Sequence, residues 1–136
     1  MPKVFTGKVL IPGDKLKEYF DLMKAAEAER APFRRQLMDL QGDFYEHLAG
    51  RYSDRTAVKH ASIVEMFIEF ICGYTDVTSI PEITRGMVNT HFRAWWKKKV
   101  WDSSTQNDLR VALAKFFAFL ASEKGIVNEK VLAALK

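Results

Sequence analysis

Apolar residues recur at intervals of three and four along most of the chain, the spacing of an amphipathic helix. This spacing predicts helices over about 14–30, 33–49, 54–73 and 85–99, a fifth between Ser103 and Gly125, and a short helix that starts after Asn128. The residues up to Pro12-Gly13 are typical of an extended arm or a short edge strand, because Val9-Leu10-Ile11 favours β-structure and ends in a turn dipeptide. The pattern therefore predicts an all-α helical bundle without a substantial sheet.

Capping and breaking residues give the predicted helix boundaries. Pro32 is expected to separate the first two helices, since proline has no N–H for the helical hydrogen bond. Gln106 lies three positions after Ser103, which is a capping-box pattern. The predicted N-caps are residues whose side-chain oxygens can accept from free N–H groups: Asp14, Ser53, Thr84, Ser103 and Asn128.

Length and composition narrow the class of protein. The chain has 136 residues, which fits one domain of common size. Every apolar stretch, including the one around Phe67–Cys72, is far too short to span a membrane, and the first residues lack the apolar core of a secretory signal. Cys72 is the single cysteine, so an intrachain disulfide is excluded. We therefore expect a cytoplasmic protein without a membrane partner.

The positive charge is concentrated in the second part of the chain. Residues 1–50 contain eight basic and eight acidic side chains, whereas residues 51–136 contain 13 basic and nine acidic ones and carry the whole net charge of +4. Residues 83–101 contain five basic side chains and no acidic one. Such a block is compatible with a polyanionic partner or with an ordinary solvated helix surface.

Residue patterns for catalysis or metal binding are missing. His47, His60 and His91 fall on three different predicted helices without metal-ligand spacing. Glycine-rich loops that cradle phosphates do not occur, and helix capping accounts for the run Ser103-Ser104-Thr105. We therefore expect no catalytic residue, no metal and no cofactor.

The run Tyr52–Ile71 resembles the start of the core-binding, SAM-like domain of phage-integrase-type tyrosine recombinases. The matching positions are a Ser, a Thr and three spaced apolar residues, namely Ser53, Thr56, Ile63, Phe67 and Phe70. His60 stands where the family usually has Tyr. The segment Ile80-Pro81-Glu82-Ile83-Thr84 is similar to the link that follows in that family.

A second run, Ser104–Leu120, resembles the fourth helix of the same domain, with its Thr, its Ala-Leu and its paired Phe. Ile126 and Asn128 stand where the family ends the domain, although Glu129 replaces a Pro. The resemblance covers about residues 33–136 and leaves residues 1–32 as an added arm and helix. In the family the catalytic Arg–His–Arg set and the Tyr nucleophile lie in a second domain, so no catalytic residue is carried over.

The resemblance implies a small orthogonal bundle of four or five helices that forms half of a clamp on double-stranded DNA. In this family the N-terminal ends of the second and fourth helices of the domain face the DNA. A non-catalytic DNA-binding domain of a recombinase is therefore expected here, monomeric when isolated and able to meet other recombinase protomers in an assembly. The residues that the resemblance and the basic run point to are Ser53, Arg55, Thr56, Lys59, Lys97, Lys98, Lys99, Ser104, Thr105, Gln106, Asn107 and Arg110.

A protein–protein interaction or regulatory module is the alternative. The helix predicted over 14–30 is amphipathic, with Leu16, Tyr19, Phe20 and Met23 at helical spacing, and residues 1–50 carry no net charge that would attract DNA. In this interpretation the N-terminal helix docks onto a partner protein.

Overall fold

The regular secondary structure of the described residues is helical, without a strand. The computed structural model describes Val4 and residues 11–100 and 104–135. The α-helices are α1 (Leu16–Ala49), α2 (Asp54–Tyr74), α3 (Phe92–Lys99), α4 (Gln106–Glu123) and α5 (Glu129–Ala134), with 3₁₀ turns at Gly13–Lys15 and Ile80–Glu82 and a π-helical segment, Met87–His91, directly before α3. Within the described residues the β-structure is a single isolated bridge between Val4 and Thr75. The predicted all-α bundle is confirmed.

Helix α2 lies at the centre of the bundle and packs against α1, α3 and α4. Its buried face carries Phe67 and Phe70, which meet Phe92 at ring-centroid distances of 5.1 and 5.8 Å. On the other side Phe44 of α1 contacts Phe116 of α4 at 5.3 Å. The apolar stripes of the sequence are therefore core, and they hold the starts of α2 and α4 in defined positions.

Helix α1 continues through Pro32, so the predicted break at this residue is wrong. Pro32 cannot donate to the carbonyl of Ala28, but Ala28 is exposed and water can bond that carbonyl. The helix is held on both sides of the proline. After it, Phe33 and Leu37 are buried in the core. Before it, the guanidinium of Arg30 donates to backbone carbonyls at and beyond the end of α2, those of Ile71 (3.1 Å), Thr75 and Val77.

The boundary predicted between residues 1–32 and 33–136 consequently falls inside α1. The predicted cap by Asp14 is also wrong, because Asp14 lies within the 3₁₀ turn and α1 begins without a side-chain cap. Except for Val4, Ile11 and Pro12, the predicted N-terminal arm lies outside the described residues.

The remaining caps follow the prediction with one correction. Ser53, Thr84 and Asn128 each accept a backbone N–H of the helix that follows, at 3.2 to 3.3 Å. Ser103 lies outside the described residues. Helix α4 begins at Gln106, so its N-cap is Thr105 and the capping-box partner is Asp108 rather than Gln106.

The turn that follows α4 contains a residue that needs the conformational freedom of glycine. Gly125 has φ of 66°, in the left-handed region that side chains disfavour. The turn lets the N–H of Ile126 donate to the carbonyl of Leu120 at 2.9 Å. The chain then reaches α5, which packs against α4. Among the described helices, none is both long and apolar enough to cross a membrane.

Candidate nucleic-acid interface

The first turn of α2 presents hydroxyl groups beside an exposed cation. The side-chain oxygen of Ser53 accepts the N–H of Thr56 at 3.3 Å, and its hydroxyl donates to the Thr56 Oγ1 at 3.0 Å. Arg55 is exposed and pairs with no other described residue. The Asp54 carboxylate accepts the hydroxyl of Tyr45 at 3.2 Å, a contact that raises the pKa of Tyr45. This end of α2 therefore offers Arg55 to a ligand.

The first turn of α4 is closed by a reciprocal pair of hydrogen bonds. The N–H of Asp108 donates to the Thr105 hydroxyl oxygen at 3.1 Å, and the N–H of Thr105 donates to the Asp108 carboxylate at 2.7 Å. The hydrogen bond from Thr105 and the neighbouring Lys59 lower the pKa of Asp108. Ser104, Gln106 and Asn107 lie in the same turn or directly before it. This turn is thus rich in hydroxyl and amide groups, but it already holds one negative charge.

An ion pair joins the two helix starts. The Lys59 Nζ lies 3.2 Å from the Asp108 Oδ1, in the second turn of α2 and the first turn of α4 respectively. The structure therefore brings together most of the residues predicted at the two helix ends. We call this region the α2–α4 surface and define it by Ser53, Arg55, Thr56, Lys59, Ser104, Thr105, Gln106, Asn107 and Asp108.

Arg110 lies close to the first turn of α4, but its guanidinium already bonds to other residues of the protein. One of its terminal nitrogens donates to the carbonyl of Leu135 at 3.1 Å, just beyond α5, and the other donates to the Asn107 side chain at 2.9 Å. A cation at the C-terminal end of a helix stabilises the carbonyls left unpaired there. Arg110 is therefore already occupied in holding α5 against α4, in contrast to Arg55.

The three lysines 97–99 lie elsewhere in the molecule. They are exposed at the C-terminal end of α3, and the Lys99 Nζ is 6.0 Å from the ring centroid of Tyr74. Tyr74 is the last residue of α2, and Ser53 precedes the first, about 30 Å away along the helix axis. Lys97, Lys98 and Lys99 therefore lie toward the opposite end of α2 from Ser53 and Arg55, and four residues link Lys99 to Ser104.

Sequence reasoning missed a second cation near these helix starts. The Lys115 Nζ donates to the Tyr52 hydroxyl at 2.9 Å and lies 4.5 Å from the centre of its ring. Lys115 lowers the pKa of Tyr52. Burial lowers the pKa of His60, and Lys115 and Lys59 add to this effect. The two partners are 63 residues apart in sequence, and no local pattern links them. Lys115 follows Asp108 by about two helical turns, a spacing that could have shown it to share the face of α4 directed at α2.

The N-terminal half of α1 forms the second feature that the sequence pointed to. Its large apolar side chains are open to solvent: the exposed fractions are 55% for Phe20, 71% for Leu22 and 46% for Met23. Leu16 is also exposed, and Tyr19 is half-buried. Exposed apolar groups that share one face of a helix, as Leu16, Phe20 and Met23 do by their spacing, are typical of contact surfaces.

Comparisons with known proteins leave the family open. Searches with protein-family models, among curated proteins and among solved structures each find no match for this chain. The described residues also contain no group of three or more His, Cys, Asp or Glu side chains that could hold a metal ion. Function is therefore argued from the two surfaces described above.

Proposed function

We propose that this chain binds double-stranded DNA through the α2–α4 surface, as a non-catalytic domain of a phage-integrase-type tyrosine recombinase. The observation that carries the proposal is the Lys59–Asp108 contact, because it joins the N-terminal ends of α2 and α4 into one surface. These are the two helix ends that the resemblance assigns to DNA.

The chemistry of this surface suits a phosphate backbone. Helix N-terminal turns present N–H groups and a partial positive charge, which favour phosphate oxygens. Arg55 adds a full positive charge, and Thr56 and Asn107 add hydroxyl and amide groups. Most hydrogen bonds in protein–DNA complexes go to phosphates and sugars, so these groups supply affinity and orientation before any base is read.

The proposal includes no chemical step by this chain. Cleavage by a tyrosine requires an activated hydroxyl and cations that stabilise the developing charge. Two of the tyrosines already bond to single charged partners, Tyr45 to Asp54 and Tyr52 to Lys115. We therefore expect purified chain to leave supercoiled plasmid intact. Nicking that is lost in a Tyr52→Phe variant would contradict this expectation.

The test is a titration of the chain with random-sequence duplex DNA at several salt concentrations. Arg55→Ala should weaken binding and lower the slope of log affinity against log salt by about 0.9, the value for one phosphate contact. Arg35→Ala is the matched control, because Arg35 is an exposed arginine of α1 that pairs with no other described residue. Lys97→Ala reports on the separate lysine cluster.

Four results would decide between the possibilities. A loss confined to Arg55→Ala supports the α2–α4 surface. Equal losses of DNA affinity in Arg55→Ala and Arg35→Ala indicate diffuse charge attraction. A loss confined to Lys97→Ala indicates that DNA binds at α3. Absence of salt-dependent binding by the unaltered chain refutes the proposed function.

The exposed half of α1 favours a second candidate function, docking onto a partner protein. Burial of Phe20 and Met23, which lie three residues apart on one face of α1, would remove two large apolar side chains from water, worth about 1.5 to 3 kcal/mol each before the costs of association. This candidate predicts that Phe20→Glu abolishes partner binding and leaves DNA affinity unchanged. Site-specific photocrosslinking from position 20, with exposed Gln36 as the control position, tests it in cells.

A further inference from the structure

The Asp108 carboxylate is an internal anion in the middle of the α2–α4 surface. One of its oxygens accepts the N–H of Thr105 at 2.7 Å, and the other faces the Lys59 Nζ at 3.2 Å. The Asp108 side chain keeps 26% of its surface exposed, and that of Lys59 keeps 47%. A carboxylate thus already uses a main-chain donor and an ammonium group that could otherwise bind a phosphate.

Carboxylate and phosphate compete for the same donors. Both are anions that accept charge-assisted hydrogen bonds from N–H and ammonium groups, and both are stabilised at a helix N-terminus. Two anions side by side repel, so a phosphate cannot approach Lys59 closely while the Asp108 charge stays in contact with it.

We propose that the Asp108 carboxylate occupies the position that a DNA phosphate would take between α2 and α4, and that DNA must displace this carboxylate from Lys59. This inference rests on the proposed function and adds to it the control of affinity at the same surface. Arg55 is the cation that meets DNA first, and Lys59 joins only when its ion pair with Asp108 opens. The carboxylate therefore holds the affinity for DNA below the value that the cations of the surface would give alone.

The proposal predicts a gain of binding, which few changes to a surface produce. Asp108→Asn removes the charge and keeps an oxygen that can still accept the Thr105 N–H. With Lys59 released, one more phosphate contact becomes available, and the slope of log affinity against log salt should steepen by about 0.9. At 0.1 M salt this corresponds to about an eightfold rise in affinity.

Two variants serve as controls, one that removes the same charge elsewhere and one that keeps the charge at position 108. Asp43→Asn also removes a carboxylate from an ion pair, the one with Lys124 at 2.8 Å, which lies at the opposite end of α4. Asp108→Glu keeps the charge at the site itself and retains a capping-box residue. Both should bind DNA within about twofold of the unaltered chain, because neither frees Lys59.

The same titration includes Lys59→Ala, alone and combined with Asp108→Asn. The eightfold gain should vanish in the double variant, since Lys59 is the cation that the change releases. Thermal unfolding monitored by circular dichroism confirms that each variant is folded, and Asp108→Gln is a second neutral replacement should Asp108→Asn fail this check.

The outcomes separate this inference from the proposed function. If Arg55→Ala weakens binding but Asp108→Asn and Asp43→Asn bind alike, the inference is overturned and DNA binding stands. If Asp108→Asn raises the DNA affinity even when combined with Lys59→Ala, the effect is general electrostatics and the proposed phosphate position is refuted. If the unaltered chain does not bind DNA, both the function and the inference fall.

Discussion

Asn128 connects α5 to the turn that leads into the π-helical segment, and its replacement by Ala gives the sharpest test of the fold. The side chain is 93% buried, with an exposed fraction of 7%. Its amide donates to the carbonyls of Ile80 (3.1 Å) and Ile83 (2.9 Å), while its oxygen accepts the N–H of Val131 at 3.2 Å. Asn128→Ala removes all three hydrogen bonds and leaves the Ile83 carbonyl without this donor, whereas the Ile80 carbonyl still accepts the N–H of Ile83 at 3.1 Å.

The expected loss follows from these contacts. An N-cap is worth about 1 kcal/mol, and the Ile83 carbonyl that loses its donor costs about 1 kcal/mol. The free energy of unfolding should therefore fall by about 2 kcal/mol. With the usual unfolding entropy per residue, this lowers the Tm of a chain of this size by about 7 °C.

Urea unfolding followed by circular dichroism measures this loss, with Gln36→Ala as a surface control that should change stability by less than about 0.5 kcal/mol. Asn128→Asp keeps the cap but has no donor for the two carbonyls, and burial beside them raises the pKa of the new carboxyl. It should therefore be as unstable as Asn128→Ala at pH 7 and recover stability as the pH falls toward about 4, because the raised pKa lets the folded protein take up the proton before the unfolded chain does. A loss under about 1 kcal/mol for Asn128→Ala would refute the reasoning.

Three further changes test local features. Pro32→Ala gives the Ala28 carbonyl its helical donor and should raise the free energy of unfolding by about 1 to 3 kcal/mol; urea titration showing a loss would contradict the account of α1. Gly125→Ala should cost about 1 kcal/mol in the same assay, owing to the positive φ. Burial, Lys115 and Lys59 lower the pKa of His60, so stability should decline as pH falls below about 6.5, and His60→Leu should flatten that decline between pH 7.5 and 5.

Helix positions were largely predictable because hydrophobic spacing and capping act locally. Ile63, Phe67, Leu109 and Phe116 lie in the core, as their spacing indicated. Pro32 was misjudged for a physical reason: the local rule against proline within a helix was outweighed by tertiary contacts on both sides of it. Arg30 supplies part of these contacts, and its acceptors lie 41 to 47 residues further along the chain.

The candidate site was only partly predictable because its members are joined across the fold. The sequence indicated Arg55 and Lys59 from their place at a helix start. Lys115, by contrast, has a partner in Tyr52 that only the packing of α2 against α4 brings near. Arg110 resembled a free cation in the sequence, yet α5 uses it, since the carbonyl of Leu135 comes within 3.1 Å. Whether a cation at the surface is free to bind a ligand depends on these contacts between distant residues, which residue spacing does not reveal.

The uninterrupted course of α1 also has a mechanical consequence. Its 34 residues extend for about 50 Å, and Arg30 connects the helix to the end of α2 near its midpoint. The residues from Leu16 to Arg30 thus extend about 21 Å beyond the contact at Arg30. When α1 turns about this contact, Leu16 moves further than any residue between the two. A partner that binds α1 near Leu16 therefore also determines the orientation of the α2–α4 surface.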